Sequence, residues 1–485
     1  VAGALVALAT RFIDRDLEPY ILDEPQLQDA AVAQARSGTW ASISVLRGTR
    51  GVRYGPVPLW FYGAVHRVAG PRPEAGIVAA GVFLTGAAVA LAFALGRKRA
   101  GGPWVMATAL WLLAASPFSF FWARLGWDNP LLFGFVALAV ALLTSDEPVG
   151  VGRALAVGAL LGLAMGTHLM AVPVMVSALW VLASERREGS QRLRPILGAG
   201  VAAAVVLLPY LIGLGREAPA LTTYQAAAQA PAHFTIAERL ASALTFLITP
   251  FGQTAGLGLE AYFDGAFGPF LGWAGLGSVF RPVGTCVAGV VGLGTVLGLV
   301  LGWRMGSPGL RRLARLGVWT WGAQAVFLGA LGLAGEPHYQ QAVLWIAPVG
   351  WALAVAVAWQ RWPGAALGLA GLACLVGLWG LGLQRTWMGW IRIQGGTRGI
   401  HYGIPLAAQR AALAQACETP SAAVALATEV VVFPHSLRSL AVTEPACRGR
   451  RVEVCGLVCP ALPPDWSFAT LRYASPSGAH LAPVD

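Results

Sequence analysis

Apolar runs of about twenty residues recur along this chain, divided by short basic or polar links, and they restrict its folding more than any other feature. "IVAAGVFLTGAAVALAFAL" (Ile77 to Leu95) is one such run and holds no charge. Backbone groups facing lipid have no water to bond, so each run must fold as a helix that satisfies them internally. Only 12% of the 485 residues are charged, against about 25% in a soluble domain, and the mean hydropathy is +0.63. The fold class is all-α polytopic membrane protein. The 61 glycines and 31 prolines fit it, because small residues let membrane helices approach closely.

The runs give about eleven transmembrane helices. A first helix ends near Phe12. Further runs are Ile77 to Leu95, Trp104 to Phe121, Pro130 to Leu143, Ile196 to Leu214, Val283 to Leu301, Leu316 to Leu333, Ala342 to Trp359 and Ala365 to Leu383. Ala154 to Ala183 is long enough for a tight helical pair and holds His168 and Pro173 near its middle. Val1 opens directly in apolar sequence, with no basic segment before it and no small-residue cleavage site after it. That predicts a first membrane helix whose beginning lies upstream, not a cleaved signal peptide. "YGPVPLWFYGAVHRVAG" (Tyr54 to Gly70) is short and amphipathic, which suits a helix lying in the interface.

Charge sets the orientation. The formal net charge is +11, but the basic residues form short clusters between runs, so nucleic acid is not an expected partner. "GRKRA" (Gly96 to Ala100), "SERREGSQRLR" (Ser184 to Arg194), "RMGSPGLRRLAR" (Arg304 to Arg315) and "WQRWPG" (Trp359 to Gly364) all fall on one side of the bilayer. By the positive-inside rule that side is cytoplasmic. The polar first loop (14–54), Asp128, the stretch from Arg216 to Phe280, His338 and the tail then face outward.

Residues 1–383 read as the transmembrane domain. From Gln384 the pattern changes, and 384–485 read as a small extracytoplasmic α/β domain. Tyr402 to Glu418 has helical periodicity, while "AVALATEVVVF" and "RRVEVCGLV" read as strands. Cys417, Cys447, Cys455 and Cys459 lie there. An even set in an external segment favours disulfides, with three pairings open and a zinc site as the rival.

Ionisable groups at a membrane boundary carry a free-energy cost unless paired or hydrated. Asp23 and Glu24 are adjacent acids in the first outer loop. They either cap a helix beginning near Pro25 or serve chemistry. Asp128, after Arg124 in "FFWARLGWDNPLL", either caps the helix that Pro130 begins or joins them. His338 and Tyr339 stand at the head of a later helix on the same face. Two carboxylate sites and a His/Tyr donor site on one side make a candidate active site. One carboxylate removes a hydroxyl proton, and donors stabilise a phosphate leaving group.

The chain resembles the GT-C superfamily of polytopic glycosyltransferases, particularly the protein O-mannosyltransferase and aminoarabinose transferase group. The resemblance rests on Asp23-Glu24, the aromatic Pro-rich segment with Pro56, Pro58, Trp60, Phe61 and Tyr62, and the basic Arg97 to Arg99. It continues through Pro117, Arg124 and Asp128, the Gly-rich "GALLGLAMGTHLM" (Gly158 to Met170), and His338, Tyr339 and Pro348. It implies inverting transfer of a sugar from a polyprenyl-phosphate donor to an acceptor hydroxyl. The acceptor is a protein, a lipid or a cell-envelope glycan. The implied location is the plasma (inner) membrane of a bacterium, with the active site outside. Asp23 is then the general base, Glu24 its neighbour and Asp128 the second acid. His338, with Arg124 or Arg53, meets the donor phosphate, and Tyr54, His168 and Tyr339 complete the substrate-binding set. Thr167-His168 departs from the lysine of many relatives, and a neutral histidine is a weaker phosphate partner. A divalent metal occurs in some relatives, and no ligand cluster in the sequence decides the matter. The competing readings are a transporter or flippase for a lipid-linked glycan and a non-catalytic membrane scaffold. No inverted repeat marks the first.

Overall fold

A computed structural model of the protein describes all residues except 1, 22, 49–51, 98, 186–189, 228–234, 261–266, 332–336, 395, 397–402, 419–422, 429–432, 456–466, 474–480 and 485. The first half contains α1 (Ala2–Ala9), α2 (Glu24–Ser37), α3 (Val57–Ala69), α4 (Pro73–Gly96), α5 (Gly102–Ala115), α6 (Pro117–Trp122), α7 (Asn129–Leu142), α8 (Val151–Thr167) and α9 (Val172–Ala183). There follow α10 (Ser190–Ala227), α11 (Ile236–Thr254), α12 (Phe267–Trp273), α13 (Phe280–Met305), α14 (Pro308–Leu331), α15 (Ile346–Arg361), α16 (Pro363–Gln394), α17 (Leu406–Cys417) and α18 (Phe433–Ala441).

Among the described residues, five segments are long and apolar enough to cross a membrane: Pro73–Gly96, Leu193–Glu217, Phe280–Met305, Tyr339–Arg361 and Pro363–Gln394. Four shorter apolar helices, Gly102–Ala115, Asn129–Leu142, Val151–Thr167 and Leu169–Ala183, pack among them. The chain is an integral membrane protein. Small residues set how closely its helices pack. A side chain at Gly158 would stand 2.1 Å from the Ala199 carbonyl, so α8 and α10 run in near backbone contact.

Several elements differ from the sequence reading. Trp104 to Phe121 is not one helix, because Ser116-Pro117 breaks it and the Ser116 hydroxyl accepts from the Ser119 amide at 3.3 Å. The run Ala154 to Ala183, by contrast, is a helical pair as the sequence suggests, broken at His168. The first outer loop contains α2. The stretch from Arg216 to Phe280 contains α11, opened by a Thr235/Glu238 capping box. Thr245, Thr249 and Gln253 interrupt the apolar pattern of α11, which hides it from a search for continuous runs. The helix Pro363–Gln394 continues past residue 383.

The four basic segments gather at one end of the bundle. Arg99 donates to the Thr144 carbonyl at 2.6 Å, and Arg312 pairs with Glu185 at 2.5 Å. Asp146 accepts from the Gly309 amide at 2.9 Å. Trp359 stacks on Trp104, with centroids 6.4 Å apart. The other end carries the first loop, the Asp128 loop and the C-terminal segment. There β1 (Ala423–Thr428) lies parallel between β2 (Arg451–Val454) and β3 (Ser467–Tyr473), and β4 (Leu481–Val484) pairs antiparallel with β3. Cys417 and Cys447 form a disulfide, and Cys455 is also disulfide-bonded. Cys459 lies outside the described residues. The Leu406 amide donates to the Glu18 carbonyl at 2.7 Å, and the Tyr20 hydroxyl meets Ser439 Oγ at 2.7 Å. These bonds seat the C-terminal segment on the first loop.

Candidate active site

Asp23 immediately precedes α2 and Asp128 immediately precedes α7, the positions from which an aspartate caps a helix. Neither does so: both have helical backbone angles and no side-chain cap bond. Asp23 is half-buried. Asp128 is only 1% exposed. One of its oxygens accepts from Asn129 Nδ2 at 3.0 Å, and the other has no hydrogen-bond partner. Burial, and then the nearby Asp23 carboxylate, push the Asp128 carboxyl up to about 8. Burial also raises Asp23. The two acids, more than a hundred residues apart in sequence, thus share one electrostatic site.

Tyr54 joins them. Its phenol is pushed up by burial and then by Asp128, Tyr339 and Asp23. Tyr54 ends a ribbon in which its amide donates to the Leu46 carbonyl at 3.0 Å and its carbonyl accepts from the Ser44 amide at 2.9 Å. The next residue has to be glycine. A side chain at Gly55 would stand 2.2 Å from the Gly166 carbonyl, so the ribbon lies directly on the end of α8. That contact places the Tyr54 ring 4.4 Å from His168, whose ring is 6.0 Å from that of Tyr339. His168 Nδ1 accepts from the Met170 amide at 3.2 Å. Nδ1 is thus an acceptor side of the ring.

Glu24 and Arg124, expected in the site, are placed otherwise. Glu24 is fully buried and accepts the Gly126 amide proton, while Gln28 Nε2 donates to the Gly126 carbonyl at 2.5 Å. Burial holds the Glu24 carboxyl well above the usual range, and its nearest acidic influence is Glu18, not Asp23. Arg124 Nη1 donates to the carbonyls of Arg11 at 3.0 Å and Ile13 at 2.7 Å, and Nη2 donates to that of Asp14. Its guanidinium is thereby tied to backbone and turned from any phosphate. These two side chains clamp the Asp128 loop to the chain around the first loop, and the Tyr62 hydroxyl ties it to α3 by donating to the Trp127 carbonyl.

Arg53 lies beside Tyr54. Its Nε is 3.3 Å from Glu217, which also pairs with Arg47 at 3.5 Å, and its carbonyl accepts from Tyr210 at 2.8 Å. His338 falls in the 3-10 turn Pro337–Val343, and its side chain lies outside the described residues. That turn also carries Gln340 and Gln341, both fully buried. The sequence reading missed them. Two amides at the head of an apolar run were their only signal. Among the described residues, no three His, Cys, Asp or Glu side chains converge to hold a metal ion.

No protein-family model and no curated protein matches the chain. Among solved structures, ArnT from Cupriavidus metallidurans bound to undecaprenyl phosphate is similar, with a TM-score of 0.54 and 13% identity over 93% of this chain and 88% of that one. Apo ArnT from the same organism gives a TM-score of 0.45 at 16% identity over the same shares, 93% and 88%. The oligosaccharyltransferase AglB from Archaeoglobus fulgidus, in complex with an inhibitory peptide and a dolichol-phosphate, gives 0.47 at 12% identity over 93% of this chain and 64% of that one. The chain shares the fold of ArnT, a member of the group that its motifs resemble.

Proposed function

We propose that the protein transfers a sugar from a polyprenyl-phosphate donor to an acceptor hydroxyl, inverting the anomeric carbon, on the extracytoplasmic face of a bacterial inner membrane. The observation that carries this reading is the electrostatic coupling of Asp23 and Asp128 at the bundle end opposite the basic loops, in a chain with the fold of ArnT. A donor whose lipid stays in the bilayer presents its phosphate and sugar at that depth, beside the interfacial helix α3.

Asp23, the more exposed of the two acids, is the general base. Its raised pKa makes it a stronger proton acceptor than an ordinary aspartate. It takes the proton of the acceptor hydroxyl as that oxygen forms its bond to the anomeric carbon. The bond from this carbon to the phosphate oxygen breaks on the opposite side, and polyprenyl phosphate leaves with the bonding pair. Asp128 holds its proton at neutral pH, so it donates a hydrogen bond and does not repel Asp23 or the phosphate. Arg53, with Arg47, is the cation available to the leaving phosphate. Glu217 is the counter-ion that the phosphate displaces. Glu24 and Arg124 position the two loops and touch neither reactant.

The test is transfer of radiolabelled sugar from a polyprenyl-phosphate donor in membranes that contain the protein. Transfer that is lost in Asp23→Asn at equal protein level supports the reading. Transfer unchanged in that variant removes Asp23 from the mechanism. Lipid translocation without transfer identifies the flippase reading instead.

A further inference from the structure

Three uncharged amide side chains are buried in the bundle near Tyr339: Gln340 and Gln341 follow it in the turn, and Gln324 bonds to its carbonyl. All three are at most 2% exposed. Gln324 Nε2 donates to the Tyr339 carbonyl at 3.2 Å and contacts Met170 Sδ at 3.5 Å. Its Oε1 has no hydrogen-bond partner, and neither do both amide atoms of Gln340 and both of Gln341. Buried polar atoms are almost always hydrogen-bonded, and leaving one unpaired is costly, most of all where the surroundings are apolar. Gln340 and Gln341 open the membrane-spanning segment Tyr339–Arg361. An unpaired amide there disfavours the fold unless something else repays it.

The chemistry of the orphaned atoms selects the ligand. They are carbonyl acceptors and N–H donors, and none is charged. A phosphate offers only acceptors and an ammonium only donors, whereas a ring of hydroxyls offers both. The three amides adjoin the aromatic series Tyr54, His168 and Tyr339, whose rings are 4.4 Å and 6.0 Å apart. Such rings pack against the C–H face of a pyranose, and through Tyr54 the series reaches Asp128 and Asp23. The turn Pro337–Val343 packs against α7, the helix that Asp128 precedes, and against the 3-10 turn after His168.

We propose that Gln324, Gln340 and Gln341 are the specificity-determining residues for the donor sugar, and that they select a neutral, hydroxyl-bearing ring. The proposal rests on the transferase reading above. It separates two recognition tasks: Arg53 holds the phosphate, and the glutamines read the sugar.

The probes are polyprenyl phosphate without sugar, polyprenyl-phosphoryl hexose, and the same donor with an amino group in place of one ring hydroxyl. Each is bound to detergent-solubilised full-length protein, wild type and Gln340→Met/Gln341→Met, and followed by intrinsic tryptophan fluorescence. The variant is expected to bind the hexose donor at least about tenfold more weakly, while its affinity for polyprenyl phosphate changes less than twofold. Its melting temperature is expected to rise, because methionine of similar volume removes the unpaired amides. The wild type should also prefer the hexose over the amino sugar, and the variant should lose that preference. Unchanged hexose binding in the variant, or a lower melting temperature with both ligands weakened equally, would overturn the proposal and leave the transferase reading standing. Failure of the wild type to bind any polyprenyl probe would overturn both.

Discussion

Asp23 and Glu24 are neighbours in sequence with opposite fates, and the same division recurs between Asp128 and Arg124 four residues earlier. Glu24 and Arg124 are buried with backbone partners across the junction of the two loops: the Gly126 amide for one, the carbonyls of Arg11, Ile13 and Asp14 for the other. Asp23 and Asp128 occupy capping positions without capping; Asp23 adds to the burial that raises Asp128, and one Asp128 oxygen is left unpaired. In each loop one charged side chain is bonded to backbone across the junction, and the other stands at the start of a helix without capping it. A residue's charge therefore says less about its role than where its hydrogen bonds go.

The division predicts which substitutions change catalysis and which change folding. Asp23→Asn is expected to lower kcat by about 10²–10⁴-fold with little effect on stability, the range for loss of a general base. Glu24→Gln, which retains an acceptor for the Gly126 amide, is expected to stay within about tenfold of wild type. Initial rates of sugar transfer and thermal melts of the two variants check this. A larger loss in Glu24→Gln than in Asp23→Asn would invert the assignment.

Arg124→Met is next in size. It leaves carbonyls of the first loop without their charged donor and is expected to destabilise the protein by about 3 kcal/mol. A chemical-denaturation midpoint that stays put would show that the clamp is not structural. Glu24→Ala, which orphans the buried Gly126 amide, is expected to be destabilising by about 1–3 kcal/mol.

The smallest effect is one of pH. Asp128 titrates at about 8 in the folded protein and near 3.9 when unfolded. Between those values the native state binds more protons than the unfolded state, so stability falls as pH rises toward and through about 8. Asp128→Asn removes that dependence. Wild type is expected to lose more melting temperature than the variant between pH 6 and 9, and equal slopes would contradict the raised Asp128.

Much of this architecture is visible in the sequence because hydropathy is a local signal. The five long apolar segments and the broken pair at His168 follow from where apolar runs and basic clusters fall; the expected total of about eleven spans does not rest on these five. The disulfide Cys417–Cys447 was one of several open pairings, since distance along the chain does not fix proximity in space. What remained hidden depends on long-range contacts or on neutral polarity. The amide that donates to Glu24 and the carbonyls bound by Arg124 lie about a hundred residues from them, so both side chains read as site candidates. Gln340 and Gln341 carry no charge and lie where an apolar run begins, so neither hydropathy nor charge singled them out. Strands β3 and β4 lie outside the two segments that read as strands in the sequence.

A double-mutant cycle on the transfer rate tests the shared site most directly, with wild type, Asp23→Asn, Asp128→Asn and the double variant assayed in the same membranes. Residues that act as one unit are not additive. The double variant is expected to transfer within about threefold of Asp23→Asn alone. Losses that simply multiply would place the two acids in independent roles and contradict the account.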